Sequence, residues 1–152
     1  MIEKLIIENY RSIERLEVEL SMLNALIGPN SSGKTNILKA LDLIVGTTYP
    51  SPHSFNESDF YLHDTSRTIL IEVRFQNPIQ YKGYEIYGFK FTFDGNDIIY
   101  VAIDDAGKTL QYLSSGPSTR ITLSAKNTSF NSSSNFDAIF IASIPVMEFL
   151  QV

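Results

Sequence analysis

Cysteine is absent from the 152 residues, and so is tryptophan. Without thiols there is no disulfide framework and no thiolate metal site, which fits a reducing compartment. Histidine is scarce, with only His53 and His63, too few for the usual imidazole-rich zinc sets. Positive charge is scarce as well. Twelve Lys and Arg stand against seventeen Asp and Glu, a net charge of -5, and no third of the chain is basic. Bulk positive charge of the kind that clamps a nucleic-acid backbone is therefore excluded, although a local patch is not. No apolar run approaches the roughly 18 residues that span a bilayer, and acids at Glu3 and Glu8 interrupt what would have to be the apolar core of a secretory leader. The expectation is a soluble, cytoplasmic protein.

What is present has the balance of one globular domain, 43% hydrophobic and 19% charged. Ile2 to Asn9 is strand-like, and from Arg15 to Leu20 the residues Leu16, Val18 and Leu20 alternate with acids. Met22 to Ile27 is more continuously apolar, the pattern of a strand covered on both faces. From Gly33 the period changes: Ile37, Leu38, Leu41, Ile44 and Val45 fall on one side of a helix, with Gly46 placed to stop it. Residues 47–68 read as a loop holding a short helical turn. The rest, 69–152, is β-rich: Ile69 to Gln76, Tyr84 to Phe93, Ile98 to Ile103 and Lys108 to Leu113 are strand candidates, with turn signals at Asp94-Gly95-Asn96-Asp97 and Asp104-Asp105-Ala106-Gly107. A serine-rich stretch, 114–134, surrounds a short candidate strand at Arg120 to Leu123, and Ala138 to Ile144 is a last apolar strand before Pro145.

The chemically informative residues are Gly28-Pro29-Asn30-Ser31-Ser32-Gly33-Lys34-Thr35, a match to G-x-x-x-x-G-K-[ST], the Walker A phosphate loop. Glycines let the backbone curl so that successive N–H groups converge on phosphate oxygens, and the helix that follows adds its positive end. Lys34 is the charge that reaches the β- and γ-phosphates. The Thr35 hydroxyl is an oxygen ligand of the type Mg²⁺ prefers. The nucleotide-contacting set expected from the loop is Gly28, Asn30, Ser31, Ser32, Gly33, Lys34 and Thr35, with ATP and Mg²⁺ as the ligands; the resemblance described next adds Arg11 and Asn36 to it.

Leu5-Ile6-Ile7-Glu8-Asn9-Tyr10-Arg11-Ser12, followed by Leu26 to Leu41 with Asn36 directly after the loop threonine, resembles the start of the ABC-type ATPase head shared by RecF, SMC-type and OLD-family proteins. Ile69 to Phe75 resembles a strand that follows in such heads. The resemblance implies an α/β P-loop NTPase fold: the N-terminal lobe of a head, with one P-loop helix and a largely antiparallel β-rich portion. It implies that residues 1–152 are part of a longer ATPase, working as a head-to-head homodimer and coupled to DNA handling, repair or cleavage. It also gives Arg11 a role at the nucleotide phosphate or adenosine, against the plainer reading of a solvated turn residue.

Heads of this type hydrolyse ATP with a later strand ending Asp-Glu and a Leu-Ser-Gly-Gly-Gln loop from a second head. Neither is convincing here, so no catalytic residue is assigned, and the expectation is binding without hydrolysis by this chain. Ile98 to Asp105 imitates the acidic strand, but the short turn before it forces an antiparallel hairpin where a long parallel crossover is needed. Asp104 and Asp105 read as turn formers. Leu113 to Pro117 only echoes the signature loop. Asp104 to Gly107 with Ser124-Ala125-Lys126 imitates a GTPase, yet 108–123 is too short for the intervening elements, and no Asn-Lys-x-Asp reader exists. His53, Asp59, His63 and Asp64 fit no metal template and read as loop polarity. Tyr84, Tyr87, Phe89, Phe91 and Phe93 read as one face of a sheet rather than a base-stacking platform. The rival functions are a non-hydrolysing interaction module with a vestigial loop, and a small complete P-loop kinase, for which Arg120 alone is poor support as a lid.

The charge balance makes one direct prediction. The isolated chain binds duplex DNA poorly in a gel shift at about 150 mM salt, because few phosphates are neutralised; a tight complex at that salt would reveal a basic patch that the composition conceals.

Overall fold

In the computed structural model the structure describes residues 1–46, 50–81 and 83–110. Five strands form one sheet: β1 (Ile2–Tyr10), β2 (Ile13–Glu19), β3 (Ile69–Tyr81), β4 (Tyr84–Phe93) and β5 (Ile98–Ile103), in the order β2-β1-β3-β4-β5. Every neighbouring pair is antiparallel. One helix, α1 (Lys34–Val45), lies between β2 and β3 in the chain.

The register shows why this order is stable. Leu16, Ile7, Ile71, Phe91 and Tyr100 are consecutive partners across all five strands, and so are Val18, Leu5, Val73, Phe89 and Ala102. Side chains opposite one another in a ladder share a face. The two rows therefore make one apolar surface, in which Leu5, Ile7, Ile71, Val73 and Phe91 are completely buried. Helix α1 contributes Ala40, Leu41 and Ile44 to the same core and packs against β1, β3 and β4. At the far end of that contact the Tyr100 hydroxyl donates to Ile44 O at 2.7 Å, a buried bond that ties β5 to the last turn of α1. The opposite face of β1 and β2 carries the ion pairs Lys4–Glu17 and Arg15–Glu8.

Gly46 ends the helix, though in an extended rather than left-handed conformation. A Cβ there would fall 2.3 Å from Asp42 O, so the residue is required by close approach. The loop before β3 contains three short 3-10 turns, Pro52–Ser54, Glu57–Asp59 and Tyr61–His63. Strand β3 runs five residues past Gln76, through Pro78. It can do so because the β3–β4 register shifts between Arg74 and Ile79, where a residue without an N–H costs no ladder bond. Beyond that shift the burial parity of β4 changes. Phe89, Phe91 and Phe93 are buried, whereas Tyr84 and Tyr87 are only partly so.

Two hairpin readings are met in detail. Asp94 Oδ1 accepts from the backbone N–H of Asn96 at 2.9 Å and of Asp97 at 2.8 Å, and these bonds hold its carboxyl below the usual aspartate range. Asp104 Oδ1 accepts from Lys108 N at 2.7 Å, so Asp104 is a turn former at the end of an antiparallel hairpin. After it, the expected strand from Lys108 is a single bridge between Ile103 and Thr109 within the described residues. The candidates at Leu113 to Pro117, Arg120 to Leu123, Ser124 to Lys126 and Ala138 to Ile144 lie outside the described residues.

One expectation is corrected. Met22 to Ile27 begins in a bend and joins no ladder, and Met22, Leu23 and Ile27 are 69%, 67% and 78% exposed. A fully buried strand needs a partner on at least one edge and layers on both faces. Among the described residues nothing supplies either. The segment is held locally, by Ser21 N donating to Asn24 Oδ1 at 2.9 Å and Asn24 Nδ2 donating to Ser21 O at 2.8 Å.

Because the Tyr100 bond is buried, Tyr100→Phe leaves the Ile44 carbonyl without that donor. The expected cost is about 0.5–1.5 kcal/mol of unfolding free energy in a urea titration; an unchanged midpoint would mean the bond does not hold α1 to the sheet.

Candidate functional site

Three chain segments meet beside the N-terminus of α1: the β1–β2 turn at Arg11 and Ser12, the glycine loop, and the 3-10 turns at 57–63. The loop curls because Ser31 and Gly33 both sit at positive φ, 70° and 87°. Ser32 N closes a turn onto Pro29 O at 3.2 Å. At Gly33 the conformation is one that a side chain resists, and a Cβ would also lie 2.9 Å from Ser12 Oγ. A Cβ at Gly28 would lie 2.9 Å from Ser32 Oγ.

Gly33 caps α1 without offering a side chain to the first-turn N–H groups, and no acid stands in that first turn. The helix end thus keeps donors and positive potential directed outward. Lys34 Nζ is folded over the loop and donates to Gly28 O and Pro29 O, each at 2.7 Å. This fixes the ammonium at the loop itself rather than in solvent. Thr35 is exposed on the first helical turn. Asn30, Ser31 and Ser32 are exposed along the loop.

Asn36 points the other way. Its Nδ2 donates to Ser12 Oγ at 2.9 Å, which joins the first turn of α1 to the β1–β2 turn. Arg11 does not point into solvent. It has φ 51°, its backbone N–H donates to Asp59 O at 2.8 Å, and its Nε and Nη2 both reach Asp59 Oδ1, at 2.9 and 2.8 Å. The neighbouring Tyr10 ring lies under the guanidinium, 5.5 Å from Cζ. Burial pushes the Tyr10 phenol up, against the opposing pull of Arg11. Next to it Asn9, also at positive φ, is buried and donates to Arg67 O at 2.8 Å.

Together Arg11, Ser12, Asn36, Phe60, Tyr61 and His63 line an open cleft of about 570 Å³. Its wall carries two consecutive non-glycine residues in the left-handed region, Leu62 and His63. Such strain persists only where surrounding structure enforces it. Of the predicted residues, Gly28 to Lys34 form the loop, while Arg11 and Asn36 belong to the cleft beside it. Ser12, Asp59, Phe60 and His63 were not assigned to the site from the sequence. A usable signal for Asp59 was the Asn56-Glu57-Ser58-Asp59 spacing, in which Asn56 N donates to Asp59 Oδ2 at 3.0 Å. Among the described residues no group of three His, Asp or Glu is placed to hold a metal ion.

The donor set suits a polyphosphate: an uncapped helix end free of acids, two glycines whose places a Cβ would crowd, and one ammonium. It suits Mg²⁺ in part, since Thr35 offers one oxygen and Mg²⁺ keeps waters and phosphate oxygens for the rest. Glycine loop, following helix and sheet together fit the P-loop NTPase fold. A family model described as AAA ATPase domain matches residues 1–144, and the chain belongs to that family. It is 36% identical over 122 residues to an OLD nuclease of Thermus scotoductus, covering 77% of this chain and 23% of that protein. With a DNA double-strand break repair Rad50 ATPase of Methanopyrus kandleri it shares 37% over 76 residues, 49% of this chain and 8% of the relative. The chain therefore spans less than a quarter of the length of either. A solved structure from work on ATP-driven dimerization and DNA-stimulated activation of SMC ATPases superposes with a TM-score of 0.61. That match covers 99% of this chain and 91% of the other at 16% identity, which shows the fold. No helix among the described residues is long and apolar enough to cross a membrane.

Gly33→Ala places a Cβ at φ 87° against Ser12. The expected loss is about 1–2 kcal/mol of stability, the left-handed penalty, read by urea unfolding; wild-type stability would show that the loop relaxes without cost.

Proposed function

We propose that this chain is the Mg·ATP-binding part of a longer ATPase of the RecF, SMC and OLD kind, with the loop Gly28 to Asn36 as the nucleotide cradle. The observation that carries the reading is the bare N-terminus of α1, with Lys34 Nζ held 2.7 Å from two loop carbonyls beside it. An anion entering the loop meets backbone donors and a ready ammonium, with no carboxylate to displace. Thr35 is the protein ligand assigned to Mg²⁺, which when bound neutralises phosphate charge. Arg11 and Asn36, at the adjoining cleft, are assigned to the rest of the nucleotide.

The exposed Met22, Leu23 and Ile27 support placement within a larger protein, since an exposed apolar segment directly before the loop is what further structure would cover. Hydrolysis is assigned to the longer protein. It needs an acid to hold the metal and position water, and among the described residues Asp104 is engaged in a hairpin turn. The relatives' names and the matched SMC structure support the remaining proposals, nucleotide-driven pairing of two such heads and coupling to DNA handling, repair or cleavage; a cytoplasmic place is proposed with them.

Calorimetry tests the central claim. Lys34→Ala is expected to weaken Mg·ATP binding by about 1–3 kcal/mol, the scale of a charge-assisted hydrogen bond; equal affinity for both proteins would remove the cradle and leave the vestigial-loop reading.

A further inference from the structure

The Arg11–Asp59 pair is built more firmly than a surface ion pair. The Asp59 side chain is 6% exposed and the Arg11 side chain 31%. Asp59 Oδ1 takes both Nε and Nη2 of Arg11, at 2.9 and 2.8 Å, while Oδ2 takes the backbone N–H of Asn56 at 3.0 Å. The backbone adds a third link, Arg11 N to Asp59 O at 2.8 Å, and Tyr10 and Phe60 form a bridge directly alongside. The carboxylate is therefore immobile, and it grips one edge of the guanidinium. On its other side the guanidinium lies over the Tyr10 ring, and Arg11 lines the cleft shared with Ser12 and Asn36. Asn36 in turn sits in the same helical turn as Lys34.

We propose that Asp59 is a positioning residue for nucleotide binding: it holds Arg11 in a single rotamer at the wall of the cleft, where its charge meets a phosphate-bearing ligand. The inference rests on the reading of the loop as an ATP cradle. An arginine loses a great deal of rotamer freedom on gripping a ligand, and a buried partner that has already fixed the side chain removes that cost from binding. A carboxylate is suited to this task because it orients the guanidinium through two N–H groups of the five that an arginine carries. Without it, the arginine at a strained turn has no reason to stay at the cleft.

A double-mutant cycle on the whole chain, with Mg·ATP as the probe and calorimetry as the readout, tests this. Arg11→Gln and Asp59→Asn are each expected to weaken binding by about fivefold or more, and the double variant no more than Arg11→Gln alone. Independent losses that multiply in the double variant, or wild-type affinity in Asp59→Asn, would overturn the proposal. Thermal unfolding of each variant identifies any that do not fold. Should Asp59→Asn be one, Arg11→Lys carries the test. A lysine keeps the charge but cannot grip Asp59 and a phosphate together, so it is expected to bind as weakly as Arg11→Gln, and wild-type affinity would overturn the idea. Lys34→Ala is measured in parallel. No loss there refutes the cradle itself, whereas a loss there beside an additive cycle refutes only the role of Asp59.

Discussion

Helix α1 is seated at both ends, and the geometry of the loop follows from that seating. Its buried stripe of Ala40, Leu41 and Ile44 lies on the apolar rows of the sheet, and Tyr100 anchors its last turn through the Ile44 carbonyl. Its first turn is anchored by Asn36 to Ser12. With both ends fixed, the chain arriving from Ile27 has few residues in which to enter the helix, and it does so through left-handed Ser31 and Gly33. That entry leaves the first N–H groups of α1 without a side-chain cap. A helix end lacking a cap is ordinarily a cost. Here the cost is the same feature on which the proposed anion site rests.

The second half of the site depends on a different economy. Arg11 and Asp59 are far apart in sequence, and they meet because β1 and the loop before β3 both end beside the sheet at Tyr10 and Phe60. The strain at Arg11, Leu62 and His63 lies around one cleft. Strain concentrated at one place, next to the proposed anion loop, is the pattern expected of a binding region held by the rest of the fold.

The strands and helix were legible wherever one face is buried and the other wet. Alternation in β2 and the three-and-four spacing in α1 report that asymmetry directly, and the aspartates at 94 and 104 report their turns. The loop was legible because its residue types are dictated by backbone curvature and phosphate chemistry. The cleft was not. Asp59 in isolation is one more polar residue in a loop, and nothing local to it announces a partner on β1. Met22 to Ile27 misled in a more instructive way. Its composition describes a buried strand, and burial of a strand is a property of what stands beside it. Tyr84 falls off the face of Phe89, Phe91 and Phe93 because it lies three residues from Tyr87, and before Phe89 the buried positions are Ile86 and Gly88 instead.

Backbone amide shifts are the most direct measurement of where a nucleotide sits. On adding Mg²⁺ and a slowly hydrolysed ATP analogue to the labelled chain, the account predicts the largest changes at Ser31 to Asn36, with smaller ones at Arg11, Ser12 and Asp59. These are the groups that line the loop and cleft. Changes confined to β4 and β5, or none at the loop at saturating nucleotide, would contradict it.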